Sequence, residues 1–81
     1  MDRKRILNRV IAVCQEVFDE ENLVLDETSC AADVEKWDSM AHLSIISDLE
    51  DEFEMSFTLD EITNLRNIGE LVDAIIRHLG K

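Results

Sequence analysis

The sequence predicts an all-α fold: a small four-helix bundle with three main helices, one short third helix and a long first loop. Apolar residues recur at spacings of three and four, the helical period, and no long window alternates as a strand does. Proline is absent and the only glycines are Gly69 and Gly80, so little interrupts the helices. We expect residues 1–81 to form a single domain around a modest core.

The first helix is predicted over residues 3–19, with Asp2 as its N-cap. An apolar stripe runs along one side of this segment. The stripe consists of Leu7, Ile11, Cys14 and Phe18, widened by Ile6, Val10 and Val17. Three basic residues in the first turn oppose the helix dipole, and the sequence alone offers no structural reason for them.

The second helix is predicted over residues 39–54, with Asp38 as its N-cap. Its apolar stripe is formed by Leu43, Ile46, Leu49 and Phe53. The twenty or so residues before it, 19–38, lack a strong period, and long loops of this kind tend to be functional. We expect four apolar side chains to pin this loop to the core: Leu23, Leu25, Val34 and Trp37.

A capping box between Thr58 and Glu61 predicts the start of the short third helix, whose buried face is expected to be Ile62 and Leu65. The last helix is predicted to begin at Asn67 and to stop at Gly80, a typical C-cap. Its expected buried residues are Ile68, Leu71, Val72, Ile75 and Leu79.

Charge and composition exclude several classes of partner. The net charge is −11, and the acids concentrate in residues 10–65, where Lys36 is the only basic residue. Such a chain repels nucleic acid and anionic membranes. No apolar run approaches ~20 residues, so no membrane span is expected. Two cysteines, Cys14 on the apolar stripe and Cys30 in the loop, are too few for a disulfide scaffold, which favours the reducing cytoplasm. High charge and small size favour a monomer.

Catalysis by the chain itself is not expected. Asp38, Ser39 and His42 would be neighbours on one helical turn, without a cleft or oxyanion donors. The second histidine, His78, lies near a helix C-terminus, where a cation suits the dipole. The sequence therefore predicts a protein that is not an enzyme.

A dedicated metal site is also not expected. Alternate acids occur at Asp48, Glu50, Glu52 and Glu54, as they do in a calcium loop. However, Phe53 stands where the sharp turn needs glycine, and Leu59 stands where the bidentate glutamate belongs. An amphipathic helix explains the same stretch.

The segment Trp37–Leu43, which reads Trp-Asp-Ser-Met-Ala-His-Leu, places a serine at the start of an acidic amphipathic helix after a long loop. It resembles the acyl carrier protein family, whose modification site is Asp-Ser-Leu at the head of the second helix. The preceding tryptophan is similar to that of specialised stand-alone carriers and of assembly-line carrier domains. The segment Leu49–Phe53 resembles the family's helix-end pattern, and the order of elements matches over nearly the whole chain.

The resemblance implies that Ser39 receives 4′-phosphopantetheine from coenzyme A and that Asp38 supports the attachment motif. A serine at a helix N-terminus is exposed, and the free amides there favour a phosphate. The arm would carry acyl or aminoacyl groups as thioesters for fatty-acid, polyketide or related biosynthesis. Met40 stands where the family usually has leucine, and we expect it to contact partners. The fold implied is the four-helix bundle of acyl carrier type.

The partner face is expected on the second helix. Implied partners are a phosphopantetheinyl transferase, an acyl-loading ligase or acyltransferase, and synthase enzymes with basic patches. The expected contact residues are Met40, Ala41, Ser44, Ser47, Asp48, Glu50 and Asp51. Ala41, Ser44 and Ser47 are neutral where family members often carry acids, which argues against pairing with ordinary fatty-acid synthase enzymes.

Two function classes remain open at this point. The first is a carrier whose cargo the sequence does not specify, with a core and any acyl-accommodating gap lined by Leu43, Ile46, Phe57, Ile62, Leu65 and Ile68. The second is an unmodified acidic helical adaptor that shares the fold and binds a basic protein.

Overall fold

The computed structural model describes residues 2–80 as a bundle of four α-helices. The helices are α1 (Arg3–Phe18), α2 (Ser39–Phe53), α3 (Leu59–Asn64) and α4 (Ile68–Leu79), and a 3-10 turn (Ala31–Asp33) interrupts the first loop. Within that described range no strand forms, and only an isolated backbone bridge joins Cys30 to Asn67. Helix α1 packs against both α2 and α4.

The three predicted N-caps are confirmed, and Asn67, predicted to begin the last helix, is the N-cap of α4. The side chains of Asp2, Asp38 and Asn67 each accept a backbone N–H from the residue three positions later. Thr58 and Glu61 form the reciprocal capping box. These bonds satisfy amides that a helix start leaves without intrahelical acceptors, which explains why short polar residues precede each helix.

Helices α1 and α2 end in an unusual way. Their C-caps, Asp19 and Glu54, adopt φ of 56° and 52°, the left-handed conformation that glycine usually provides. The two helices therefore stop one residue earlier than residues 3–19 and 39–54 suggested. Gly80 caps α4 as predicted, its amide donating to the carbonyl of Ile76.

The core lies between α1, α2 and α4, and it corrects several sequence-based assignments. On α1 the fully buried residues are Ile6, Val10, Val13, Cys14 and Phe18. Leu7 and Ile11, predicted to belong to the central stripe, are only half-buried at the edge of the core, as is Val17, which was predicted to widen the stripe. The buried face of α1 is therefore rotated about the helix axis relative to the predicted stripe, because α2 and α4 cover α1 on two sides.

Leu43 is the largest correction: it is 59% exposed, and Ile45 occupies the core in its place. At 3.6 residues per turn, Leu43 lies about 120° around the helix from Leu49, whereas Ile45 lies about 40° away. Leu79 is also exposed, at 42%, because it lies beyond Ile76, the last α4 residue packed against the core.

Helix α3 is less deeply buried than predicted. None of its residues is fully buried; Ile62 is half-buried, and Leu65, also half-buried, caps the helix rather than belonging to it. Six residues cannot present a wide apolar face, so α3 covers the bundle without entering its centre.

The first loop is packed against the bundle, as predicted. Val34 and Trp37 are buried, and Leu23 and Leu25 are partly buried against the core. The start of α4 fixes the loop's middle, because the amide of Gly69 donates to the Glu27 carbonyl at 2.8 Å. A Cβ at position 69 would lie 3.0 Å from that same oxygen, so this close approach favours glycine.

One of the three basic residues in the first turn of α1, Arg3, acquires a structural reason, and so does Arg9 further along the helix. Arg3 pairs with Glu27 of the loop and with Asp73 of α4, and Arg9 pairs with Glu52 of α2. The pKa of Arg3 is raised by these two carboxylates, and the pKa of Glu52 is lowered by Arg9. These exposed ion pairs place positive side chains of α1 beside acidic side chains of the first loop, α2 and α4.

Candidate functional site

Ser39 is the first residue of α2, and its side chain is exposed. The preceding Asp38 adopts an extended conformation, and its carboxylate accepts the Ala41 amide at 2.8 Å. Asp38 therefore provides the cap, which leaves the Ser39 hydroxyl free of that task. The helix geometry offers the amides of Ser39 and Met40 no intrahelical acceptor, and the dipole favours an anion there.

An open groove of about 640 Å³ lies beside Ser39. It separates the head of α2 from α3, with the end of the first loop as its floor. The lining residues are Ala31, Trp37, Asp38, Ser39, His42, Leu43, Ile62, Thr63 and Leu65. Leu43, expected to line both the core and any acyl-accommodating gap, lines this groove and not the core, together with the half-buried pair Ile62 and Leu65.

Ser39 and His42, considered above as a possible catalytic pair, are not arranged for catalysis. The Nδ1 atom of His42 accepts the indole N–H of Trp37 at 3.2 Å, and its Nε2 atom faces the carbonyl oxygen of Ile62 at 3.4 Å. Both ring nitrogens are therefore engaged away from the serine. The sequence spacing of Trp37, Ser39 and His42 does not predict the bond between Trp37 and His42, because that bond depends on how the first loop folds back against α2.

The expected partner residues divide into two groups along α2. Met40 is 79% exposed and lies next to the exposed Ser44 and Ser47, whereas Ala41 is half-buried. Asp48 and Asp51 are exposed further along the helix. Glu50 is half-buried, and its carboxylate accepts the Phe57 amide at 2.9 Å. Glu50 therefore anchors the loop after α2 and is less available to a partner than its two neighbours.

The remaining candidates occupy structural positions. Cys14 is buried, which raises the pKa of its thiol to about 12, and Cys30 caps the 3-10 turn. The acidic run from Asp48 to Glu54 lies on α2 and its C-cap rather than in a loop. No group of three or more His, Cys, Asp or Glu side chains within residues 2–80 is placed to hold a metal ion. None of the helices in that range is long and apolar enough to span a bilayer.

Glu61 fixes the outer side of α3. Its carboxylate accepts the Thr58 amide and the His78 Nε2–H, each at 2.8 Å, and lies 3.5 Å from Arg77. The bond to His78, followed by that to Thr58, lowers the pKa of Glu61 to about 2. One side chain thus joins α3 to the end of α4.

Glu61→Gln is expected to lower the free energy of unfolding at pH 7 by about 1 to 2 kcal/mol, because a charge-assisted bond is lost. A carboxylate whose pKa is lower in the folded state than in the unfolded state stabilises the fold at pH values above its ordinary pKa. The difference from wild type should therefore hold above pH 4.5 and fade toward pH 2. Urea unfolding across this range measures it. Asp60→Asn, on the same helix, is the control, and equal effects of the two variants would contradict the assignment.

Two comparisons with known proteins decide the family. Residues 8–75 match the family model described as a phosphopantetheine attachment site. The fold is similar to that of the holo acyl carrier protein from Geobacter metallireducens, with a TM-score of 0.84 and 32% sequence identity. That likeness covers 91% of this chain and 85% of the other. The chain belongs to the acyl carrier protein family.

The acyl carrier fold and the cofactor class, phosphopantetheine, are thereby confirmed. Acyl carrier proteins carry their cargo and are not enzymes, in agreement with the sequence-based prediction. A putative acyl carrier protein from Mycobacterium tuberculosis is also similar, with a TM-score of 0.81, 18% identity, and coverage of 89% of this chain and 96% of that one. At this identity the likeness concerns the fold alone. A search of curated protein sequences gave no match.

The residues at the head of α2 fit the group that this carrier family bears. Ser39 offers an exposed hydroxyl at the positive end of a 15-residue helix, and the adjacent groove is open to solvent. Met40 and Leu43, both exposed and apolar, flank the hydroxyl. A substituent on Ser39 would therefore meet neither buried charge nor a closed wall.

Proposed function

We propose that this carrier bears 4′-phosphopantetheine on Ser39, joined by a phosphodiester. In that transfer the Ser39 oxygen replaces the nucleotide on the pantetheine-side phosphorus of coenzyme A, and the serine proton leaves with the nucleotide. When bound, the group supplies a terminal thiol on which acyl or aminoacyl cargo travels as a thioester. The observation that supports the proposal is the exposed Ser39 hydroxyl at the first turn of α2, which Asp38 already caps.

The role of this chain's own residues is presentation. The Asp38 cap holds the first turn in place, and the exposed amides of that turn favour the phosphate. Tethering raises the effective concentration of cargo at a partner's active site without any catalysis by the carrier. We propose that this serves fatty-acid, polyketide or related biosynthesis.

The experiment is incubation of the full chain with coenzyme A and a broad-specificity phosphopantetheinyl transferase, followed by intact mass measurement. The expected result is a gain of one phosphopantetheine group per chain, and fragmentation should locate it at Ser39. Subsequent incubation with candidate ligases and acyl or aminoacyl donors identifies the cargo. An unchanged mass would favour the unmodified adaptor.

We further propose that partners dock on α2 through two contacts, an apolar one near Ser39 and an electrostatic one further along. Met40 and Leu43 provide the first, beside the neutral side chains of Ser44 and Ser47. Asp48 and Asp51 provide the second. Asp51 lies twelve residues after Ser39, about 18 Å along the helix axis, so a matching basic patch should lie at that distance from the point where the partner receives Ser39.

Asp51→Lys is expected to slow modification by the transferase about fivefold at low salt, because an exposed ion pair contributes up to about 1 kcal/mol. The effect should diminish at 1 M salt, where the screening length falls to about 3 Å. Glu21→Lys, an equal change of charge in the exposed first loop, is the matched control. Equal slowing by both variants would show that net charge, rather than this face, guides docking.

We propose that residues 1–81 form a single carrier domain, that the carrier is cytoplasmic, and that it acts as a monomer. Both cysteines are free, which suits a reducing compartment. The excess of acidic residues opposes self-association. Size-exclusion chromatography with light scattering measures the mass of the particle in solution.

A further inference from the structure

Trp37 and His42 form a polar chain across the groove beside Ser39. The indole N–H of Trp37 donates to His42 Nδ1 at 3.2 Å, and the two rings stack with centroids 6.2 Å apart. On the other side, His42 Nε2 lies 3.4 Å from the carbonyl oxygen of Ile62 in α3. One imidazole thus connects the end of the first loop to α3.

The two partners together determine the protonation state of His42. An indole N–H is only a donor, so Nδ1 must be an unprotonated acceptor. A backbone carbonyl is only an acceptor, so Nε2 must carry the proton. Only the neutral Nε2–H tautomer satisfies both. A second proton on Nδ1 would set one N–H against the N–H of Trp37, whereas the contact with Ile62 would persist.

We propose that the Trp37–His42–Ile62 chain is a proton-sensitive clasp. Neutral His42 ties α3 to the loop across the groove, and protonated His42 releases Trp37 while it remains with α3. Trp37 itself stays in place, because it is 7% exposed and packs against Phe18 with ring centroids 5.7 Å apart. The connection between the first loop and α3 beside Ser39 is therefore lost when His42 takes up a proton.

Few other titratable side chains lie near His42, so a response of the groove to pH is assigned to this residue. Among the residues lining the groove, Asp38 is the only other titratable one, and its carboxylate is exposed and bound to the Ala41 amide. The residues that the 3-10 turn and the α3 segment contribute to the groove are not titratable: Ala31, Ile62, Thr63 and Leu65. The acids of α3, Asp60 and Glu61, line a different groove, between α3 and α4.

For a carrier modified at Ser39, the clasp would control how cargo rests against the protein. The hydrogen-bonding groups of the groove wall are already engaged, since Thr63 donates to carbonyls of its own helix and His42 binds Trp37 and Ile62. With the clasp intact, this part of the groove wall thus suits an apolar segment, and loss of the Trp37–His42 bond would weaken that contact. This consequence rests on the proposed function, whereas the clasp itself does not.

The test is a pH titration of the unmodified full chain between about pH 5 and pH 8, the range in which histidines commonly change charge. Trp37 is the only tryptophan, so its indole N–H gives a single NMR resonance. We expect this resonance to shift with one midpoint and, on the acid side of it, to lose protection against exchange relative to the intrinsic rate at the same pH. The amide resonances of Ile62 and Thr63 should follow the same midpoint.

His42→Gln should abolish the Trp37 titration, while His78→Gln should leave it intact. If His42→Gln does not fold, the ring nitrogen shifts of His42 in the His78→Gln protein give the answer directly. A proton on Nε2 alone at pH 8 supports the clasp. The clasp would be overturned by a proton on Nδ1 at pH 8, by a Trp37 indole shift that does not change with pH, or by α3 amide shifts that do not change with the same midpoint. Because no arm is present, this result is independent of whether Ser39 is modified.

Discussion

Ser39→Ala is expected to abolish the mass gain completely when the chain is incubated with coenzyme A and a phosphopantetheinyl transferase. The reason is chemical, because alanine provides no oxygen to form the phosphodiester. The loss should be total rather than partial, which sets this variant apart from changes that weaken docking. Intact mass spectrometry of the two proteins, treated side by side, measures the effect.

The fold should survive this substitution, so that the result reports on chemistry. Ser39 is exposed, and the cap of α2 comes from Asp38, whose bond to the Ala41 amide is unaffected. Far-ultraviolet circular dichroism and the urea midpoint should match those of wild type. Ser56→Ala is the matched control, since this serine is exposed in the loop after α2 and should leave the mass gain unchanged.

A Ser39→Ala protein that still gains the group would place the attachment elsewhere. Wild-type protein that gains nothing, under conditions that modify another acyl carrier protein, would remove the basis for a thioester cargo. The acidic four-helix bundle would then be better described as an adaptor. The structure of the clasp at Trp37 and His42 would be unaffected by either outcome.

The helices of this protein were predictable because their signals are local. Asp2, Asp38, Thr58 and Asn67 each contact an amide three residues away, so the sequence alone contains both partners of every cap. The head of α2 was predictable in the same way. A short polar motif at a helix start specifies the exposure of Ser39 without reference to the rest of the fold.

Side-chain environments that depend on neighbouring helices were less predictable. Periodicity identified an apolar side of α2 but did not define its centre, and Leu43 and Ile45 lie on opposite flanks of Leu49. Which flank is covered depends on where α1 packs. For α3, the period suggested a buried face, yet a six-residue helix contributes no fully buried residue.

The polar contacts across the groove were beyond prediction for a related reason. Trp37 was expected to pin the loop, His42 was considered as a neighbour of Ser39, and both belong to the segment that resembles the carrier motif, but no contact between them was predicted. Their hydrogen bond requires the loop to turn so that the indole meets the imidazole, and the contact with Ile62 requires α3 to lie opposite. Such contacts are long-range consequences of packing, and helical spacing does not encode them.

Ile45→Ala is expected to cost about 2 to 5 kcal/mol of unfolding free energy, through lost apolar burial and the cavity left behind. Ile45 is fully buried in the core. Small domains have total stabilities of about 5 to 15 kcal/mol, so the variant should lose a large share of its stability. Leu43→Ala, by contrast, should cost less than about 1 kcal/mol, because that side chain is mostly exposed.

Urea unfolding followed by Trp37 fluorescence measures both variants, and the comparison tests the packing of α2 directly. If α2 were rotated to bury Leu43, as its stripe first suggested, the order of the two costs would be reversed. The expected order of the two losses in unfolding free energy also distinguishes a residue of α2 that maintains stability from one that serves function. Ile45 faces the core and should affect stability alone, whereas Leu43 lines the groove beside Ser39 and should affect docking or cargo without unfolding the carrier.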